Sequence, residues 1–279
     1  MLESDRSTLR PARLEDHPAF VRLFEELGTG EPAPTVDVWI SDLVKRSFFV
    51  DGSEGVTAYA VIDVMGRTGH VVNLVVAPEQ RGRGLGKRVM RALADHLRAQ
   101  GCHEWMLNVK PDNVPALSLY SAMGLRVVGA HSNWSVSRAH LAALPPGPEG
   151  LEVVPVEEGD FAPLTRAFGL APGKLARFAE QRGMHRLLRL RDPEHPESVG
   201  GGWMDLRPSR ALLVPFHASS PAHARALLEA AFRELYPAAS LRVVTGDETL
   251  GALLREAGAQ VVLRTVGMKG SLVEAASDP

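Results

Sequence analysis

Cysteine is nearly absent from this sequence, and so are long apolar runs, an excess of charge of either sign and metal-binding patterns. The single cysteine, Cys102, excludes an intramolecular disulfide, and no flanking group would activate it as a nucleophile. No stretch is apolar for the ~18 residues that a membrane span needs. A formal net charge of -2 excludes the chain-wide basic footprint of a nucleic-acid-binding protein. The ten histidines show no metal-ligand spacing, so we expect no metal.

The residues that are present indicate a globular protein of two domains. Hydrophobic residues make up 45% and charged residues 23% of the 279 positions, which suffices for a core without disulfides. The amino terminus, MLESDRSTLRPAR, is too charged for a signal peptide, so we expect a cytoplasmic location. The Pro- and Gly-rich segment LPPGPEG is typical of a linker. We therefore predict domains at 1–143 and 151–279, joined by residues 144–150.

The two halves of the sequence repeat one pattern. The run LYSAMGLRVV begins at residue 119 and its counterpart LLREAGAQVV begins at residue 253, which is an offset of 134. Arg91 and Arg225, in two alanine-rich segments, show the same offset of 134. Equal offsets at separated places indicate a duplicated domain, although any two alanine-rich helices resemble each other.

Hydrophobic periodicity predicts a mixed α/β (α+β) fold for the first half. Apolar residues at helical spacing with glycine stops favour helices, and alternating apolar runs favour strands between them. The predicted helices cover 14–27, 35–45, 87–100 and 114–123. The predicted strands cover 8–13, 47–51, 56–64, 70–76 and 105–109, followed by two short strands in LRVVGAH and NWSVS.

The segment NLVVAPEQRGRGLGKRVM joins a predicted strand to a predicted helix and combines three glycines with four basic residues. A helix start presents unpaired N–H groups and the positive end of the dipole, and glycines let the backbone approach a ligand. The segment therefore predicts a phosphate site. A P-loop needs Ser or Thr after its lysine, whereas Arg88 follows Lys87 here. A dinucleotide-binding fingerprint needs the spacing G-x-G-x-x-G, whereas these glycines stand at 82, 84 and 86. A surface turn without a ligand stays open as an alternative.

LVVAPEQRGRGLGK resembles the coenzyme A loop of the GNAT acyltransferases, and LNVKPDNVPALSLYSAMGL resembles their next motif. The resemblance covers about residues 8–140 and implies two GNAT-type domains in the chain, each a mixed, mostly antiparallel twisted sheet flanked by helices. It implies that acetyl-CoA is the co-substrate, with its pantetheine along the 70–76 strand and its diphosphate on the N–H groups of 82–87. The residues implied to bind this cofactor are Leu74, Val75, Val76, Arg81, Gly82, Arg83, Gly84, Leu85, Gly86, Lys87 and Asn113.

The same resemblance implies acyl transfer with Tyr120 as the acid that protonates the leaving thiolate. Tyr120 stands seven residues after Asn113, about two helical turns, so both can face the end of the 70–76 strand. The carboxylate that some relatives use as a base is missing, since Asn108 stands in that place. His70 is our candidate base because its ordinary pKa suits the role. The alternatives are a water chain, Glu25 and Glu26.

The second half lacks the same site. Its predicted strand RALLVPF at 210–216 is followed by HASSPAHA instead of a glycine–arginine loop, and Leu254 stands opposite Tyr120 in the offset. Gly200, Gly201 and Gly202 precede a predicted strand, WMDL, rather than a helix, so we expect them in a turn or bulge. We predict a degenerate GNAT-like domain that walls the acceptor cleft or forms a homodimer face.

These observations favour an N-acetyltransferase that moves an acetyl group to an amine of a small molecule or a peptide. The two-half layout also resembles the mycothiol synthases, in which the other half is the working one. A module that binds acyl-CoA without turnover and a nucleotide binder that uses the glycine loop are the alternatives. We expect neither a nucleic acid nor a membrane as a partner.

Overall fold

The structure is a computed structural model, and it describes residues 9–180, 185–192, 200–205, 212–234 and 240–273. The chain forms two compact units. The first comprises the residues up to Val128 together with those from Gly267 onward, and the second comprises Gly129–Val266. None of the helices in the described ranges combines the length and the apolar character that crossing a membrane requires.

The first unit is a mixed sheet with helices on its faces. Its strands are β1 (Leu9–Pro11), β2 (Ser47–Gly52), β3 (Gly55–Met65), β4 (Thr68–Val76), β5 (Glu104–Val109) and β12 (Gln260–Ser271). The sheet runs in the order β1-β2-β3-β4-β5 and ends with the last part of β12, from residue 267 onward. The pairs from β1 to β4 are antiparallel, whereas β4 and β5 are parallel. The helices are α1 (His17–Phe24), α2 (Val36–Val38), α3 (Leu85–Ala99) and α4 (Val114–Ala122).

These elements confirm the helices and strands predicted up to residue 124. The predicted 14–27 helix begins and ends with 3-10 turns, at Leu14–Asp16 and Glu25–Leu27, and the predicted 35–45 helix contains a π turn at Trp39–Leu43. The prediction of two strands in LRVVGAH and NWSVS was wrong, since both belong to one strand, β6 (Arg126–Ser137). The strand continues because no residue in it takes a positive φ that would make a turn.

An apolar cluster fixes α1 and the segment after it on one face of the first sheet. Phe20, Leu23 and Phe24 follow the i, i+3, i+4 spacing of one helix face and are buried together with Trp39 and Tyr59. Each such side chain contributes about 2 kcal/mol by leaving water. The packing therefore holds the turn that follows α1 in a defined place.

Helix α3 packs on β4 through a glycine. A Cβ atom at Gly69 would lie 2.5 Å from Cδ1 of Leu97, so only glycine lets the helix come this close. Leu97 shares the buried stripe of α3 with Val89 and Leu93. This contact anchors the carboxyl end of α3. Because the helix is rigid, the contact also positions the loop at its amino end.

Strands β4 and β5 stop pairing halfway along β4. Their parallel register runs from Thr68 opposite Glu104 to Val71 opposite Leu107 and goes no further. At the same place β4 carries a bulge, because Val61 and Ile62 of β3 face Asn73 and Val71 and so leave one residue of β4 extra. Beyond the bulge, residues 73–76 remain paired with β3 and have an unpaired edge on their other side.

The second unit repeats the order of elements. Its strands, besides parts of β6 and β12, are β7 (Glu152–Pro155), β8 (His185–Arg191), β9 (Gly200–Asp205), β10 (Leu212–Ala218) and β11 (Ser240–Thr245). The sheet order, β6-β11-β10-β9-β8-β7, matches β12-β5-β4-β3-β2-β1 of the first unit, in agreement with the predicted duplication. Its helices are α5 (Phe161–Ala167), α6 (Lys174–Ala179), α7 (Pro221–Glu234) and α8 (Glu248–Glu256).

The compact units divide the chain differently from the two sequence halves. Residues 129–137 of β6 belong to the second unit, and residues 267–271 of β12 belong to the first, so the halves exchange their last strands. Residues 145–150 carry neither helix nor strand, as a linker between the sequence halves requires. The domain limits at 143 and 151 stay a prediction.

The three glycines at 200–202 lie within β9 and not in a turn before it. A Cβ atom at Gly200 would lie 3.0 Å from Cδ1 of Leu190 and 3.2 Å from the carbonyl oxygen of His217, so this glycine permits close packing. Gly202 pairs with Phe216, where the β9–β10 register shifts at a bulge. Residues 210 and 211 of the predicted RALLVPF strand, and residue 206 of WMDL, lie outside the described residues.

Candidate active site

The loop between β4 and α3 leads into a helix start that no side chain caps. Gly82 and Gly84 have φ of 75° and 76°, a left-handed backbone that favours glycine, and Gly84 is the N-cap of α3. The first turn contains no acidic residue and no side-chain capping bond. The N–H groups of Leu85, Gly86 and Lys87 precede the first carbonyl acceptor that a helix supplies. This loop therefore offers free donors and a positive dipole end to an anion.

Gly86 lets three elements pack closely, whereas Gly82 and Gly84 are needed for their left-handed backbone. A Cβ atom at Gly86 would lie 3.2 Å from Cδ2 of Leu119 in α4 and 3.8 Å from Cγ2 of Val76 in β4. Its φ is not positive, so the requirement for glycine here is one of space. Gly86 therefore places the start of α3, the end of β4 and the middle of α4, beside Tyr120, next to one another.

The open edge of β4 presents alternate residues. The Ala77 N–H donates to the carbonyl oxygen of Thr57 at 2.8 Å, so the peptide groups of residue 77 face β3. In an antiparallel pair these groups alternate in direction. Those of Val75 therefore face β3 as well, whereas those of Leu74 and Val76 face the gap between β4 and β5. An extended amide chain laid in this gap meets the N–H and carbonyl groups of Leu74 and the N–H of Val76.

The turn that follows α1 is linked to the ends of both separated strands. Arg81, after β4, donates from Nη2 to Oε2 of Glu26 at 2.7 Å and from Nε to the Val76 carbonyl oxygen at 3.0 Å. Lys110, after β5, donates from Nζ to the carbonyl oxygen of Gly28 at 2.6 Å. Residues 25–28 are thus held against the segments that follow β4 and β5. The guanidinium of Arg81, which we predicted to bind the cofactor, is occupied by these two contacts.

Tyr120 lies in α4 with 8% of its surface exposed. Burial raises the pKa of its phenol to about 12, so the hydroxyl keeps its proton at neutral pH and can donate it. Asn113 is the N-cap of the same helix, and its Oδ1 accepts the N–H of Ala116 at 3.2 Å. The capping role is one that the sequence indicated, and it fixes the start of α4.

His70 lies away from the other predicted site residues. It belongs to the paired part of β4, opposite Asp63 of β3 and Met106 of β5. Leu74 is four residues further on, about 13 Å at 3.3 Å per residue. The fold therefore brings together the 74–76 edge, the 82–87 loop and Tyr120, but not His70. In the described ranges no three His, Cys, Asp or Glu side chains form a group suited to a metal ion.

Sequence reasoning missed Leu119 and Lys110. Leu119 contributes through its contact with Gly86, and the Leu-Tyr pair in the second motif was the signal that pointed to it. Lys110 contacts Gly28, which is 82 positions away in the sequence. The only local signal for this turn was Gly28 itself, a glycine that ends the predicted 14–27 helix. Neither contact follows from local spacing.

The counterpart of this loop in the second unit is short. Only residues 219 and 220 separate β10 from α7, and neither is glycine or a basic residue. Leu254, at the position that matches Tyr120, is fully buried in the apolar core of its unit. The second unit therefore has neither the glycine loop nor the phenol.

Residues 15–125 match the model of the acetyltransferase (GNAT) family. The chain carries a GNAT domain. The chain also resembles the uncharacterized N-acetyltransferase YobR of Bacillus subtilis, with 33% identity over 87 residues, which are 31% of this chain and 35% of that protein. The mycothiol acetyltransferase of Corynebacterium jeikeium is 40% identical over 62 residues, which are 22% of this chain and 18% of that protein. The chain thus spans about a third or less of the length of these curated relatives.

The whole chain shares its fold with a solved tandem GNAT protein from the clavulanic acid biosynthesis pathway. The TM-score is 0.60 at 16% sequence identity, and the match covers 96% of this chain and 99% of that protein. The likeness extends over both units and shows a tandem GNAT fold. The GNAT domain of residues 15–125 includes the glycine loop, the open β4 edge and α4 with Tyr120.

Proposed function

We propose that this GNAT protein transfers an acetyl group from acetyl-CoA to an amine in its first unit. The observation that carries the proposal is the meeting of three parts at Gly86: the open edge of β4, the uncapped glycine loop and the helix that bears Tyr120. Each part suits one portion of the cofactor. The edge suits the amides of pantetheine, the loop suits the diphosphate, and the phenol suits the thioester sulfur.

Cofactor binding follows from these parts. The pantetheine arm lies along the open edge and pairs with the peptide groups of Leu74 and Val76. The diphosphate rests on the N–H groups of residues 82–87, where the helix dipole, Arg83 and Lys87 add positive charge. Val75 contributes its buried side chain, which holds the strand on the core. Val76 offers its N–H, because Arg81 already occupies its carbonyl oxygen.

The chemical steps require one acid and a neutral amine. The amine nitrogen attacks the thioester carbon, a C–N bond forms, and the carbonyl oxygen becomes an oxyanion that accepts a hydrogen bond from a backbone N–H of the open β4 edge. The intermediate then collapses, the C–S bond breaks, and the Tyr120 hydroxyl gives its proton to the thiolate. The ammonium proton of the amine leaves to water, and water reprotonates the tyrosine. His70 stays a predicted base, to be tested by the loss of activity in His70→Gln.

The acceptor is proposed as an amine of a small molecule or peptide and no more closely. The matched part covers 18% of the mycothiol acetyltransferase, which is too little to transfer its acceptor to this chain. The alternatives are a module that binds acyl-CoA without turnover and a nucleotide binder.

One assay separates these functions. We expect acetyl-CoA to raise the melting temperature, since a ligand bound only to the folded state stabilises it. Addition of an amine panel that includes polyamines, aminoglycosides and peptide amino termini should then release free thiol, measured with a chromogenic disulfide. Stabilisation without thiol release from any amine would indicate a non-catalytic acyl-CoA module. Stabilisation by ATP and not by coenzyme A would contradict the proposal.

Gly86 provides a test of the geometry. We expect Gly86→Ala to lower kcat/KM for acetyl-CoA about tenfold, because the new methyl group displaces α3 from Leu119 by a few tenths of an ångström and misaligns the cofactor. Leu119→Ala in the same chain should restore part of this loss, giving a coupling of roughly 1 kcal/mol in a double-mutant cycle. Gly129→Ala, which adds a methyl group at a glycine with open space around it and without a positive φ, should leave kcat/KM unchanged. Strictly additive effects would show that the contact does not align the site.

A further inference from the structure

The last strand of the chain lies against the end of the helix that bears Tyr120. Residues 267–271 of β12 belong to the first unit. A Cβ atom at Gly270 would lie 2.8 Å from the carbonyl oxygen of Gly124 and 3.0 Å from Nε1 of Trp105. A backbone carbonyl group cannot rotate aside as the end of a flexible side chain can, and the φ of Gly270 is not positive. Glycine is therefore required at this position for space.

Gly124 ends α4 and is linked to Tyr120 through the backbone. Its φ of 83° is left-handed, a conformation in which glycine commonly follows the end of a helix. Its N–H donates to the carbonyl oxygen of Ser121 at 3.0 Å, and the N–H of Leu125 donates to the carbonyl oxygen of Tyr120 at 3.0 Å. A displacement of Gly124 is therefore transmitted to the last turn of α4, which contains Tyr120.

Other contacts hold this part of β12 in place. Nζ of Lys269 lies 3.0 Å from Oε1 of Glu104. Arg98 of α3 donates from Nε to the carbonyl oxygen of Leu272 at 2.7 Å. The N–H of Leu272 donates to the carbonyl oxygen of His103 at 2.8 Å, and its side chain is buried. The strand is thus anchored to α3 and to the start of β5, and it presents a fixed surface to the end of α4.

The second unit, which lacks the phenol, also lacks this glycine. β6 and β12 are equally long and stand 134 positions apart, so Val136 takes the place of Gly270. Val136 is fully buried in the core of the second unit, as is Leu254 at the position that matches Tyr120. Within this chain the glycine accompanies the tyrosine, and the fold itself does not require it.

We propose that Gly270 is a positioning residue for the acetyl transfer, because its bare backbone lets α4 pack at the depth that directs the Tyr120 hydroxyl to the thioester sulfur. The proposal rests on the function proposed above for the first unit. Gly270 acts through Gly124 and α4 rather than on the cofactor. The acid of the first sequence half is thus placed by a strand that comes from the end of the second.

The test compares Gly270→Ala in the wild-type chain and in Tyr120→Phe by thiol release. In the wild-type chain the added methyl group should displace the end of α4 by a few tenths of an ångström and lower kcat about tenfold, with KM for acetyl-CoA within about threefold. In Tyr120→Phe it should change kcat less than about twofold, because no hydroxyl remains to be misplaced. Equal losses in both backgrounds would overturn the positioning role and leave the acid in place. A wild-type rate in Tyr120→Phe alone would contradict the acid itself.

A glycine of the second unit provides the matched control. A Cβ atom at Gly246 would lie 2.9 Å from the carbonyl oxygen of Ala130, which is a similar clash with the backbone. Gly246→Ala should therefore lower the melting temperature as Gly270→Ala does, but leave kcat within about twofold of wild type. A loss of kcat equal to that in Gly270→Ala would show that reduced stability, and not the position of α4, slows the reaction.

Amide hydrogen exchange of the wild-type chain, followed by NMR, gives a second measurement that needs neither turnover nor a variant. The N–H groups of Leu125 and Leu272 should exchange with the same free energy of opening, because release of the strand also releases the end of α4. This result remains decisive if Gly270→Ala does not fold. Exchange of the Leu272 N–H at low denaturant while the Leu125 N–H stays protected would overturn the proposal.

Discussion

Replacing Tyr120 with phenylalanine is expected to lower kcat about 100-fold, the usual contribution of a positioned general acid. The KM for acetyl-CoA should change less than about threefold, because the hydroxyl acts on the thiolate that forms in the transition state and contributes little to cofactor binding. Steady-state rates of thiol release at saturating amine measure both constants. A fall in kcat/KM that comes only from a raised KM would contradict the acid role.

Tyr59 offers a matched control in the same unit. Its ring is fully buried beside Phe20 and Phe49, and its hydroxyl has no hydrogen-bond partner among the described residues. Tyr59→Phe removes the same atom from the core instead of from the proposed site, so kcat should stay within about twofold. Since the unpartnered hydroxyl contributes nothing to the fold, the melting temperature should stay or rise.

The pH profile gives a second readout of the acid. Burial raises the pKa of Tyr120 to about 12, above its ordinary value, so the phenol keeps its proton throughout the neutral and mildly alkaline range. The wild-type rate should therefore rise with pH as the acceptor amine loses its proton, with no descending limb below about pH 10. Tyr120→Phe should keep the ascending limb at a lower rate. A descending limb near neutral pH would assign the acid to another group.

Local patterns in the sequence predicted the elements and the loop but not their long-range pairing. The helix start after Gly84 follows from glycines, basic residues and an apolar stripe, all within about twenty positions. The gap beside Val76 depends on a bulge, which needs the register with β3 and β5 to be seen. The exchange of the last strands joins residue 267 onward to the first unit, and no periodicity of the sequence reports such pairing.

The same difference between local pattern and long-range contact explains where individual side chains lie. Arg81 fits the loop motif by position, yet it lies against Glu26, which is 55 positions away. His70 suits a base by its chemistry, but its place on the paired part of β4 separates it from residue 74 by about 13 Å. Residue type and spacing thus predicted the segments whose proposed roles depend on the backbone. They predicted less well the side chains whose position depends on a distant partner.

Reversing the two free charges of the glycine loop tests the phosphate site. We expect Arg83→Glu with Lys87→Glu to raise the Kd of acetyl-CoA about 100-fold, equivalent to roughly 3 kcal/mol, because like charges then face the diphosphate at the helix start. Calorimetric titration at two salt concentrations measures this Kd. The wild-type affinity should fall as salt rises, since these exposed contacts are screened, and the affinity of the variant should depend on salt less or in the opposite sense.

The control variant makes the same change in net charge at two residues outside the glycine loop. Arg67→Glu with Lys45→Glu alters the net charge equally, and Arg67 lies in the turn before β4, at the opposite end of that strand from the loop. Its Kd should stay within about threefold of wild type. Equal weakening in both double variants would mean that acetyl-CoA responds to the overall charge of the unit, and the diphosphate would then have to bind away from residues 82–87.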